Sequence, residues 1–221
     1  MKNVWIVIPA RKGSKGFPHK NRHLFDYTAA QIPDFLRHRT IVTTDDEQLL
    51  SRAKSYEFNV LHREKGLSAD DTSMRLVILD AREKFNISPK DDIITLYLTY
   101  PQRTMLQIQR VYDFYLNSGA SSLLCKKHVD SHPYMCYYVL DNFRGSKVIN
   151  HNLYRRQEYP ECFEVCHYIV ITKPHILEKL DNNLYCEETV FYPMENKIID
   201  VDYMSDFERF QEGAKNDKNN I

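Results

Sequence analysis

The sequence predicts an α/β protein: a mostly parallel sheet with helices on both faces, plus a small β excursion. Three observations predict it. Short apolar, β-branched runs recur along the chain, as strands buried on both faces require. Segments with helical spacing of apolar residues alternate with them. After about Ser131 that alternation stops and a hairpin-like segment intervenes.

The elements follow in order. Val4-Trp5-Ile6-Val7-Ile8 is a continuous apolar strand, and Thr40-Ile41-Val42-Thr43 a second, β-branched run. Thr44-Asp45-Asp46-Glu47 reads as a helix-capping pattern, with the helix running to about Tyr56. Val60-Leu61 marks a short strand. Met74, Ile78, Ala81 and Phe85 share one face of a helix over 72–85. Residues 93–98 form a fourth strand, 105–116 a helix and 122–125 a further strand. Residues 135–143 read as a hairpin, 168–171 as a strand and 174–180 as a helix. Ile198-Ile199-Asp200-Val201-Asp202 reads as a late strand, and Ser205 opens a last helix. This is a Rossmann-like plan. It makes one domain over 1–212, with an excursion at about 130–165 and a polar tail at 213–221 expected to fray.

The 221 residues carry 30 Lys plus Arg and 30 Asp plus Glu, a formal net charge of zero. That balance argues against a nucleic-acid partner, so any anion site must be a local cluster. The five cysteines have no framework spacing, which points to reduced thiols in a cytoplasm. Cys162, Cys166 and His167 cluster, but there is no second cysteine pair for zinc, and buried free thiols are the simpler reading. The first apolar run is too short to span a bilayer, so no membrane association is expected.

The richest segment follows the first strand: Pro9-Ala10-Arg11-Lys12-Gly13-Ser14-Lys15-Gly16-Phe17-Pro18-His19-Lys20-Asn21. Open α/β sheets bind ligands at the carboxyl ends of their strands. Two glycines let the backbone curl and aim N–H groups at phosphate oxygens. Arg11, Lys12, Lys15 and Lys20 add four cations, and no acid occurs before Asp26. A nucleoside triphosphate fits such a loop; a solvated basic loop is the plainer alternative. Neither Gly-x-x-x-x-Gly-Lys-Ser/Thr nor Gly-x-Gly-x-x-Gly is present. Asp200 and Asp202 sit two apart, so in a strand both leave one face, where they could share a hard cation or stand solvated.

The loop resembles the signature Ala-Arg-x-Gly-Ser-Lys-Gly-x-x-x-Lys-Asn of the CMP-acylneuraminate synthetases, with every fixed position present from Ala10 to Asn21. CMP-Kdo synthetases carry Arg where this chain has Lys15. Further stretches are similar in order: Ile41 to Asp46, Arg63 with Leu67 through Asp71-Thr72-Ser73, Thr99 to Thr104, and Ile199-Asp200-Val201-Asp202. The resemblance implies a nucleotidyltransferase fold and a cytidylyltransferase moving CMP from CTP to an acidic sugar of the sialic-acid type.

On that resemblance, Ala10, Arg11, Gly13, Ser14, Lys15, Gly16, Lys20, Asn21, Arg63, Thr72 and Ser73 bind the nucleotide. Arg11, Lys20 and Asp202 are catalytic, and Asp200 and Asp202 hold Mg²⁺. Tyr97, Arg103 and Arg156 face the acceptor. A homodimer is implied, with the excursion reaching toward the partner. The chain departs from the family pattern at Tyr97 and Leu98, where Gln-Pro is usual, near Met135, where a Lys is usual, and at Glu164 to His167, where Arg-Pro-Asn-Gly is usual. Those changes lie on the acceptor side, so Kdo or a phosphonate is an alternative acceptor. A non-catalytic nucleotide-binding homologue is the alternative from another class.

Overall fold

The computed structural model describes residues 1, 3–194 and 198–219. Its main sheet has seven strands in the order β3-β2-β1-β4-β8-β5-β9. They are β1 (Val4–Pro9), β2 (Thr40–Thr44), β3 (Asn59–His62), β4 (Asp92–Thr95), β5 (Ser122–His128), β8 (Phe163–Thr172) and β9 (Thr189–Pro193). β1 pairs in parallel with β2 and β4, β2 with β3, and β5 with β9; only β8 runs antiparallel, between β4 and β5. A separate ribbon pairs β6 (Tyr137–Val139) with β7 (Gly145–Lys147).

The helices are α1 (Lys20–Ala29), α2 (Asp34–Arg37), α3 (Glu47–Ser55), α4 (Met74–Lys84), α5 (Met105–Ser118) and α6 (Met204–Asn219). Val4, Ile6, Val7 and Ile8 are fully buried, each contributing roughly 1.5–3 kcal/mol of apolar burial. The alternation along β1 divides the core. Ile6 and Ile8 pack with Leu24, Phe25, Leu49, Val111 and Phe210, from α1, α3, α5 and α6. Val7 packs with Ile78 and Ala81 of α4 and with Leu177 and Leu180.

Several expectations change. α1 and β9 have no counterpart in the sequence reading. The helix expected at 174–180 is a single 3₁₀ turn, Leu177–Lys179, too short to sustain an α-helical ladder. The expected late strand shows no strand pairing: among the described residues of 198–202, the Val201 amide donates to the Thr99 carbonyl at 2.8 Å, and the Ile199 carbonyl accepts from the Gln102 side chain at 3.0 Å. The helix cap falls on Asp46, whose carboxylate accepts from the Gln48 amide at 3.0 Å. α6 runs on through the polar stretch from Gly213 to Asn219; residues 220 and 221 lie outside the described residues.

Candidate active site

The chain leaves β1 for β2 on one side and later returns to place β4 on the other. The carboxyl end of β1 is therefore the point where strand order reverses, the usual ligand crevice of an open α/β sheet. The loop 10–19 leaves from that point. Its start is stitched to β2: the Ala10 amide donates to the Thr43 carbonyl at 3.0 Å, and the Thr44 hydroxyl donates to the Ala10 carbonyl. The Lys12 amide donates to the Asp45 carboxylate, and the Asn21 side chain donates to the Arg11 carbonyl at 2.9 Å.

Gly13 has φ +85°, a left-handed turn that suits glycine. Gly16 is needed for a different reason: a Cβ there would lie 2.8 Å from the Asp202 carbonyl oxygen and 3.0 Å from the Tyr203 ring. Phe17 anchors the far end of the loop. It is fully buried, stacked on His23 at 5.1 Å and packed on Phe207 of α6 at 5.5 Å.

Lys20 is the first residue of α1, which has no acid in its first turn. A cation at a helix N-terminus opposes the helix dipole and calls for an anion. It has one: Lys20 Nζ lies 2.7 Å from Asp202 Oδ1, and the lysine side chain is 12% exposed. Residues 182 apart in sequence thus meet at one cleft. An outer cavity of about 580 Å³ is lined by Arg11, Ser14, Lys15, Gly16, Lys20, Asp70, Asp202 and Tyr203. An inner one of about 170 Å³ shares Arg11, Ser14 and Lys20 and adds Arg63, Met74, Tyr97, Leu98 and Thr99.

Arg63 forms the floor of the inner cavity. It is buried, and its Nη2 donates to the Thr43 carbonyl at 2.9 Å. Burial pulls its pKa down to about 10, so it stays charged at neutral pH. Tyr97 forms a wall, with its ring 5.5 Å from that of His167. Thr72 and Ser73 do not line either cavity. The Thr72 hydroxyl donates to the Gly66 carbonyl at 3.3 Å, and Ser73 Oγ is buried without a partner.

Asp200 and Asp202 take different partners. Tyr100, itself buried, donates its hydroxyl to Asp200 Oδ2 at 2.7 Å. Burial, then the neighbouring charges of Cys166 and Asp200, raise that phenol far above its ordinary pKa, so it acts as a donor. Asp202 faces Lys20 in the outer cavity, and Asp200 lines neither cavity. Among the described residues no group of three or more His, Cys, Asp or Glu side chains is placed to hold a metal.

Two expected acceptor residues lie elsewhere. Arg103 is 2% exposed. Its Nη1 donates to the Tyr168 carbonyl at 2.6 Å, and its Nη2 to the Tyr97 carbonyl at 3.0 Å and the Thr28 hydroxyl at 3.3 Å. Its donors are spent inside the core, where it braces the Tyr97 wall from behind. Arg156 borders a third cavity, about 370 Å³, with His128, His132 and Tyr159. That cavity shares no residue with the cleft. Glu164, which stands where an Arg was expected, is neutralised by Lys127 at 2.6 Å.

Asp70 and Tyr203 line the outer cavity and were not singled out from the sequence. Asp70 pairs with Arg11 and lies 2.6 Å from Lys15 Nζ. Nothing in the sequence distinguishes it from its neighbour Asp71.

No family model matches the chain. It is 26% identical over 220 residues to the CMP-N,N'-diacetyllegionaminic acid synthase of Campylobacter jejuni, covering 94% of this chain and 93% of that one. It is 23% identical over 213 residues to the N-acylneuraminate cytidylyltransferase of Streptococcus agalactiae; this covers 91% of the chain but only about half (51%) of that relative. Among solved structures, a CMP:2-keto-3-deoxy-manno-octonic acid synthetase complexed with CTP superposes with TM-score 0.65 over 97% of this chain and 99% of that one. At 14% identity that likeness establishes the nucleotidyltransferase fold. No helix among the described residues is long and apolar enough to cross a membrane.

Proposed function

On the premise that the chain belongs to the CMP-acylneuraminate synthetase family of cytidylyltransferases, we propose that it transfers CMP from CTP to an acidic nonulosonate sugar, releasing pyrophosphate. The observation that carries the reading is the meeting of Lys20 with Asp202 at the mouth of the cleft beneath the 10–19 loop.

In this reading the backbone amides of Gly13 to Gly16, with Arg11, Lys15 and Lys20, neutralise the triphosphate. Arg63 and the 97–99 wall bound the inner cavity that takes the cytosine or the reacting sugar. The attacking hydroxyl displaces pyrophosphate at the α-phosphorus. The protein contributes alignment and fixed positive charge where negative charge builds on the leaving oxygens.

Mg²⁺ is the proposed metal. It binds hard oxygen donors, takes one or two protein carboxylates and fills its remaining positions with phosphate oxygens and water. Asp202 and the Asp200 oxygen not bonded to Tyr100 meet that requirement. Bound there, the ion would supply charge neutralisation of the triphosphate and activation of the attacking oxygen.

A homodimer is proposed on the exposed apolar side chains of the β6–β7 ribbon and the chain after it, where Phe143 is 98% exposed and Tyr154 93%. A cytoplasmic setting is proposed on the free cysteines.

The test is pyrophosphate release from CTP with Mg²⁺ across nonulosonates, Kdo and phosphonates. Release with a nonulosonate is expected. Lys20→Ala should severely reduce turnover and Asp202→Asn should abolish it. An Asp202→Asn enzyme with normal turnover would remove the metal role, and CTP binding without release for any acceptor would leave a binding protein.

A further inference from the structure

Asp70 lies on the loop between β3 and α4, which is braced by its own side chains: Ser68 Oγ donates to the Glu64 carbonyl at 3.1 Å and Thr72 Oγ1 to that of Gly66. From there Asp70 crosses the outer cavity and meets two loop cations at once. One carboxylate oxygen accepts from Arg11 Nη1, and the other lies 2.6 Å from Lys15 Nζ. Lys20, the third cation lining that cavity, is held by Asp202. Every Arg and Lys lining the outer cavity is thus already engaged by a carboxylate from a distant segment.

A carboxylate spanning a guanidinium and an ammonium has the shape and charge of a phosphate edge. We propose that Asp70 is a resident phosphate mimic, a counter-anion that any phosphate ligand must displace from Arg11 and Lys15. The inference deepens the cytidylyltransferase reading and rests on it.

Two consequences follow from the competition. A single phosphate offers the two cations little more than Asp70 already does, so it gains almost nothing by displacing it. A triphosphate also reaches the loop amides and Lys20, and so retains a net gain. After transfer, pyrophosphate has lost its link to the nucleoside. Asp70 then competes with it for the same two cations and favours its release. The carboxylate therefore lowers the affinity of every phosphate ligand by a common factor, which a triphosphate with its further contacts can bear and a small phosphate anion cannot.

The pairs are exposed: the Lys15 side chain is 88% exposed and that of Asp70 49%. Exposed pairs are individually weak and screened by salt. Removing both should tighten a competing anion by about three- to tenfold at low ionic strength.

The experiment measures binding of CTP, inorganic pyrophosphate and inorganic phosphate by calorimetry. It uses the full chain and its Asp70→Asn and Asp70→Ala variants, at low salt and at about 1 M salt, where the screening length falls to ~3 Å. Asp70 is on the surface, so both variants should fold, which circular dichroism checks. The expected result is tighter pyrophosphate and phosphate binding in both variants, with the gain collapsing at high salt. Equal or weaker binding in the variants at low salt would overturn the proposal, since Asp70 would then orient the cations rather than compete for them. Wild-type binding of CTP separately decides the underlying reading. If the wild type binds CTP while the variants show no gain, only the counter-anion fails; if neither form binds CTP or pyrophosphate, both fail.

Discussion

Gly16→Ala tests whether the cleft depends on close approach between the 10–19 loop and the 202–203 segment. The added Cβ would sit 2.8 Å from the Asp202 carbonyl oxygen, and ordinary contact begins near 3.4 Å, so one side must retreat by about 0.6 Å. The far side resists. The amides of Asp202 and Tyr203 both donate to Asp206 Oδ2, at 3.1 and 2.9 Å, which fixes them to the start of α6. The displacement therefore falls on the loop and on the 2.7 Å Lys20–Asp202 contact. A misplacement of about 1 Å at reacting groups costs on the order of 10²-fold. A shift near 0.6 Å should then lower kcat/KM by about tenfold or more, while overpacking costs roughly 1–3 kcal/mol of stability. The assay is initial-rate pyrophosphate release with saturating Mg²⁺ and the accepted sugar acid, alongside thermal unfolding. Gly119→Ala is the control. Gly119 has φ +66° and nothing within 4 Å, so it should lose about 1 kcal/mol of stability and no rate. Gly16→Ala activity within twofold of wild type would refute the argument, because the segments would then be free to part without consequence.

Three other outcomes are expected. Arg103→Ala should cost roughly 2–4 kcal/mol in chemical denaturation, since two buried acceptors and one half-buried one lose their donor, while the folded fraction keeps its KM for CTP; a large rise in KM with unchanged stability would return Arg103 to the site. Tyr100→Phe should raise the Mg²⁺ concentration for half-maximal rate several-fold, with kcat recovered at saturating metal, and an unaltered Mg²⁺ titration would show that the 2.7 Å bond does not position Asp200. Asp46 is buried, which pushes its carboxyl up, but hydrogen bonds from Arg22 and the Gln48 amide, with the Arg22 charge, outweigh burial and hold it below its ordinary range. A depressed carboxyl contributes stability above the unfolded pKa of about 4 and loses it as pH falls through the folded value; Asp46→Asn should therefore be less stable by about 1–3 kcal/mol at pH 7, with the gap to wild type closing below about pH 4, and a gap constant down to pH 2 would contradict the assignment.

What the sequence made legible follows from which forces are local. β1 and β2 announce themselves because strands buried on both faces favour apolar and β-branched runs: Val4 to Ile8 is unbroken apolar, and Thr40 to Thr43 is β-branched throughout. The cationic loop was equally legible, because its charge and glycines lie within a dozen residues. α1 was missed because it lacks the local signals of a helix start. Its N-cap His19 sits at φ 55° with no side-chain cap, and its first turn is basic. The 198–202 stretch alternates as a strand does, but no strand runs beside it: its Val201 amide bonds to the Thr99 carbonyl, beyond the end of β4. Arg103 looked like a site residue because sequence cannot distinguish an arginine facing a cleft from one whose fork caps carbonyls behind it. Asp70 depended wholly on tertiary approach, 59 residues from Arg11.

The charge pattern explains how a chain of zero net charge can carry so cationic a loop without a standing electrostatic cost. Like charges clustered at a strand end and at the start of α1 repel one another and oppose the helix dipole. The fold offsets this with carboxylates from three separate segments: Asp45 on the Lys12 amide, Asp70 on Arg11 and Lys15, Asp202 on Lys20. A ligand bringing only negative charge would strand Asp70 and Asp202 beside it. A triphosphate accompanied by a divalent cation strands only Asp70, because its oxygens take over the cations while the metal takes over Asp202. On the proposed reading the arrangement would favour a metal–nucleotide over either component alone, and by linkage each component would raise the affinity for the other.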